Sequence, residues 1–138
     1  MKRVLLVGVC LLLPLTIIGC GQNGAESVDS PLVLEQIDSG ITAQLTVSQN
    51  PVSVMEETVL TLALHDADGQ PVQAAVVHYD LTMPGMTMPP NQLDANEQAD
   101  GVYTAQAIFT MAGDWRCNVA VTLSDNTPVA FAFDLKAQ

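Results

Sequence analysis

The chain has 138 residues, room for one domain and hardly for two. It carries 4 Lys+Arg against 15 Asp+Glu, a formal net charge of −11, and four bases cannot assemble the positive surface that nucleic acid requires. A hydrophobic fraction of 49% with only 14% charged residues excludes a disordered acidic tail, and 1 Trp, 2 Tyr and 3 Phe are too few for a base-stacking platform.

Met1-Lys2-Arg3 is a short basic start to an apolar run that reaches Ile18. The pattern fits a secretory signal, and Pro14 argues against a stable membrane-spanning helix. Ile17-Ile18-Gly19-Cys20 resembles a bacterial lipobox, which implies cleavage before Cys20, acylation of that cysteine and residence as a membrane-anchored lipoprotein of the cell envelope, facing the periplasm or the exterior. Residues 1–19 are thus expected to be the signal and residues 20–40, mixing Gly, Asn, Ser, Asp and Pro, a flexible tether. The mature chain then keeps only Arg116 and Lys136 as bases, and Cys117 as its one free thiol, so no internal disulfide is expected.

From Ile41 the chain alternates with period two. Ile41, Ala43, Leu45 and Val47 share one face, Asn50-Pro51 breaks the strand, and Leu60, Leu62 and Leu64 resume the pattern before the Asp66–Pro71 turn cluster. Ala75, Val77, Tyr79, Leu81 and Met83 line the next strand, followed by a Pro/Gly/Asn-rich loop from Pro84 to about Asp100. Tyr103–Phe109, Trp115–Leu123 and Val129–Leu135 complete the set, with a seventh strand expected at Val52–Met55. This spacing predicts an all-β fold, an Ig-like antiparallel β-sandwich of about seven strands over residues 41–138.

One segment carries chemistry: Met83-Pro84-Gly85-Met86-Thr87-Met88-Pro89-Pro90-Asn91. Thioether sulfur is a soft, neutral donor suited to Cu(I) and poor for Ca²⁺, Mg²⁺ or Zn²⁺. The prolines restrict the backbone, so less entropy is lost when sulfurs converge on an ion, and Gly85 permits a tight bend. Met also fills cores, and Met83 continues the inward face of its strand. Met111 and His78 are further candidate ligands, although His78 lies an odd interval from Met83 and faces the other side of an extended strand. Cys117 shares a face with Trp115 and reads as a small buried hydrophobe, and His65 with Asp66 and Asp68 reads as a plain turn.

Val76–Met88, with Asp100-Gly101-Val102-Tyr103 and Phe109-Thr110-Met111-Ala112-Gly113-Asp114-Trp115, resembles the YtkA-like domain family, related to FixH-type proteins. The resemblance covers about Ile41–Leu135 and implies a small Ig-like sandwich engaged in copper handling, with a copper donor or acceptor protein as partner. Members often carry His near the methionine loop, whereas here no His follows Met86. The chain has no Gly-x-Ser-x-Gly, His-Glu-x-x-His, phosphate loop or CxxC, and it is expected not to be an enzyme. The resulting expectation is a lipid-anchored Cu(I)-binding module using Met83, Met86 and Met88, with Met111 or His78 assisting. The rival expectation is an Ig-like interaction module whose Met/Pro loop is an adaptable apolar contact.

Overall fold

The computed structural model describes residues 30–138; the signal, the lipobox and Cys20 lie outside the described residues. The nine strands are β1 (Leu32–Asp38), β2 (Ile41–Val47), β3 (Glu57–His65), β4 (Val76–Thr82), β5 (Gln92–Asp94), β6 (Asn96–Ala99), β7 (Val102–Ile108), β8 (Gly113–Thr122) and β9 (Pro128–Ala137). They form two antiparallel sheets, ordered β1-β2-β3-β7-β6 and β5-β4-β8-β9. The architecture is therefore the expected all-β sandwich.

Alternation builds it. Leu60, Leu62 and Leu64 are fully buried while Val59 is exposed and Thr61 and Ala63 are intermediate, which is a strand with one face on the core. Leu45, Leu60, Leu62 and Tyr103 of one sheet close on Tyr79, Leu81, Val119 and Phe133 of the other. Each aliphatic side chain buried this way contributes about 1.5–3 kcal/mol. No disulfide links the described residues, so this core holds the domain.

Three local expectations change. The domain starts at Leu32, not Ile41, because β1 pairs in register with β2 from Leu32↔Val47 to Asp38↔Ile41 through a Ser39-Gly40 turn with both φ positive. Polar composition hid this edge strand, of which only Leu32 and Leu34 pack against the core. The Pro84–Asp100 loop ends in two short strands, β5 and β6, that carry the chain from one sheet to the other across Ala95. Val52–Met55 is no strand; Val52 makes a single parallel bridge to Ala137.

The open edges β1 and β9 approach each other, and one side chain closes the gap. The Gln36 amide donates through Nε2 to the Ala132 carbonyl and accepts the Ala132 N–H at 3.1 Å, copying a strand's pairing groups. At the far end the Tyr103 hydroxyl donates to the Val72 carbonyl (2.8 Å) and accepts the Ala75 N–H (3.0 Å), fixing the β3–β4 connection.

Candidate metal site at the methionine end

β2, β4 and β7 all finish at the same end of the sandwich, so the β2–β3, β4–β5 and β7–β8 connections lie side by side. All the described methionines sit on them or at their roots: Met55, Met83, Met86, Met88 and Met111.

Met83-Pro84-Gly85-Met86 is a type II turn. Pro84 fixes the first central residue, Gly85 takes φ +82° at the second, and the Met86 N–H donates to the Met83 carbonyl at 3.2 Å. A Cβ on Gly85 would meet nothing within 4 Å, so glycine is needed there for its dihedral and not for space. Met83 itself is half-buried, pointing inward as the alternation requires, with its Cε lying over Gly113. Met86 at the turn is 53% exposed. Met88 is more enclosed than its loop setting suggests: it packs half-buried against the core beside Leu93, Ile108 and Thr110.

Met111 is 39% exposed on the short β7–β8 connection. Its backbone is anchored from below, because the buried Trp115 indole donates through Nε1 to the Met111 carbonyl at 2.9 Å. Trp115 in turn meets Phe109 edge to face, with ring centroids 5.2 Å apart. The methionine end thus stands on a rigid aromatic pair, and none of Met83, Met86, Met88 and Met111 is fully buried.

Sequence reasoning missed Met55. It lies alone between two strands and gives no local pattern, yet its N–H donates to the Phe109 carbonyl at 2.8 Å, two residues before Met111.

The other candidates lie elsewhere. His78 does not join the methionines: it faces outward on β4, opposite Asp94 of β5, with Nδ1 against that carboxylate. It borders a surface depression with Gln36, Asp80, Asn118 and Ala132, away from the loops. Asp66 caps its own turn by accepting the N–H groups of Asp68 and Gln70, both at 2.9 Å, which leaves a plain turn beside His65. Cys117 is fully buried on β8, where burial, with a smaller push from the Asp80 charge, raises its thiol to about 12. It is a packed thiol, unavailable as a thiolate ligand near neutral pH. Burial likewise raises the Tyr79 hydroxyl, which has no partner among the described residues.

Two exposed ion pairs flank the methionine end, Arg116 with Asp134 (2.9 Å) and Lys136 with Asp114 (3.7 Å). The Arg116 guanidinium holds the Asp134 carboxyl below its ordinary range. These two pairs engage the only Lys and Arg among the described residues, so they leave the surrounding carboxylates in excess. Among the described residues no three His, Cys, Asp or Glu side chains converge for a metal ion. The loops of this end carry thioethers, a donor type that suits a soft ion such as Cu(I) better than a hard one.

The family model described as YtkA-like matches residues 35–120, more than half of the chain. The chain belongs to the YtkA-like family. Among solved structures, the soluble domain of PmoD from Methylocystis sp. ATCC 49242 (Rockwell) aligns with this YtkA-like chain at TM-score 0.54 and 11% identity, over 76% of this chain and 97% of that one. The Lin-41 filamin domain aligns at TM-score 0.50 and 15% identity, over 77% and 91% of the two chains. At such identities the likeness is one of fold, and it places the YtkA-like domain among Ig- and filamin-like sandwiches. No curated protein matches the YtkA-like chain in sequence.

Proposed function

We propose that this YtkA-like domain is a lipid-anchored, extracytoplasmic binding module that holds Cu(I) at its methionine end through Met83, Met86, Met88 and Met111 and passes it to a partner protein. The observation that carries this reading is that four thioethers, none fully buried, lie on the adjacent β4–β5 and β7–β8 connections at one end of the sandwich. Outside the reducing cytoplasm a thioether stays a ligand where an exposed thiol would oxidise. Neutral sulfurs bind the ion without charge, which suits release to a thiolate or imidazole acceptor. The acidic surface raises the local cation concentration at low salt.

Leu32 opposes Val47, so the chain enters β1 at the methionine end. A lipid on Cys20 would join the domain from that end and keep it near the bilayer, which favours an acceptor in or at the membrane. The reading names no catalytic residue.

Anaerobic titration with Cu(I) against a competing chelator, parent beside Met86→Leu/Met88→Leu, tests it. The double variant should bind more weakly by about tenfold or more, a loss of roughly 1.4 kcal/mol. Equal affinity in both would remove the copper reading of the loop, and loss of partner capture alone would favour an interaction module.

A further inference from the structure

Met55 is 70% exposed, tied with Ile37 as the most open of the large apolar side chains among the described residues. It stands at φ +62°, in the left-handed region that L side chains avoid. Three other described non-Gly residues share that region, Ser39, Ala74 and Asn126, and Met55 has the largest side chain of the four. Packing does not explain the choice, since the side chain lies largely in solvent. Turn chemistry does not explain it either, because Gly or Asn would fit this backbone better. A strained residue that the fold keeps in place directs attention to what its side chain does.

What holds it is the methionine end itself. The Met55 N–H donates to the Phe109 carbonyl at 2.8 Å, Phe109 packs on Trp115, and the Trp115 indole holds the Met111 carbonyl. The backbones of Met55 and Met111 are therefore anchored at neighbouring points, one on the Phe109 carbonyl and the other on the Trp115 indole, and both side chains are open to solvent. Met83 and Met88 are half-buried on the β4–β5 side of the same end.

We propose that Met55 is a further thioether ligand, forming with Met111 an outer position at which a Cu(I) ion lands before, or after, it is held by Met83, Met86 and Met88. The inference rests on the copper reading of this end. An ion with an outer two-sulfur position can be exchanged stepwise, one thioether replacing another, so it is never released bare. Met83 and Met88 are half-buried, so a partner's ligand would meet Met55, Met111 and the exposed Met86 before those two.

The test uses the full mature chain, with Cu(I) competed against bicinchoninate and with Ag(I) as the redox-silent probe for methionine methyl NMR. Ag(I) should move the Met55 and Met111 methyl signals along with those of Met83, Met86 and Met88. Met55→Leu should weaken Cu(I) binding about three- to tenfold. Met55→Gly relieves the left-handed strain, so it should raise the unfolding temperature while weakening binding just as much, which a purely structural Met55 would not do. If the Met55 methyl stays still and both variants bind like the parent while Met86→Leu/Met88→Leu loses affinity, this inference falls and the copper reading stands. If none of the variants differs from the parent, both fall.

Discussion

The Cε of Met83 occupies the space over Gly113: a Cβ placed on Gly113 would come within 2.9 Å of it. Gly113 opens β8 at φ +135°, a conformation L side chains rarely adopt, so its missing side chain serves the backbone and the thioether at once. Gly113→Ala should destabilise the domain by about 1–3 kcal/mol in urea denaturation. Because Met83 has to swing aside, the variant should also bind Cu(I) more weakly when still folded. A folded Gly113→Ala protein with parental affinity would show that the position of Met83 does not matter to the ion.

Trp115 joins the core to the methionine end. Trp115→Phe keeps an aromatic ring against Phe109 but removes the Nε1–H that holds the Met111 carbonyl. The lost hydrogen bond and the smaller ring together should cost about 2–3 kcal/mol of stability. Chemical denaturation gives the loss, and methyl NMR should show the Met111 signal moving toward its unfolded position.

Alkaline pH should unfold the domain through Cys117. Its folded thiol sits at about 12, whereas the unfolded thiol titrates near its ordinary value of about 8.5. Between those values the unfolded chain gives up a proton that the folded chain keeps, so the stabilising contribution is complete below the lower value and is lost as pH rises toward the upper one. Tyr79, also raised by burial, acts in the same direction at higher pH. Urea unfolding from pH 8 to 11 should show stability falling, and Cys117→Ala should make the fall shallower by about 1.4 kcal/mol per pH unit.

Gln36 closes the seam between the edges β1 and β9 by pairing both backbone groups of Ala132. Gln36→Ala should lose about 1 kcal/mol. It also uncovers one pairing site on the β9 edge, so light scattering at high concentration should show more self-association than in the parent.

The sandwich was legible wherever a strand had one wet face. Ile41–Val47 and Leu60–Leu64 alternate so strictly that their buried faces follow from the sequence, and burial matches residue by residue. Edges were harder to read. In β1 only Leu32 and Leu34 face the core, so polar composition outweighed its pairing, and β5 and β6 are three and four residues long, too short for a pattern. The methionine loop was legible because three sulfurs lie within six residues of one another. Met55 was not, since what brings it to the site is a hydrogen bond to Phe109, 54 residues along the chain. His78 stayed apart for the reason its spacing gave: an odd interval on an extended strand puts it on the outer face.

X-ray absorption on anaerobically Cu(I)-loaded protein identifies the atoms bound to the ion. The coordination shell should be dominated by sulfur at near-neutral pH, unchanged in Cys117→Ala and lost when Met83, Met86, Met88 and Met111 are replaced by Leu. A shell of nitrogen or oxygen, or a sulfur shell that disappears with Cys117 alone, would contradict the copper reading of the methionine end.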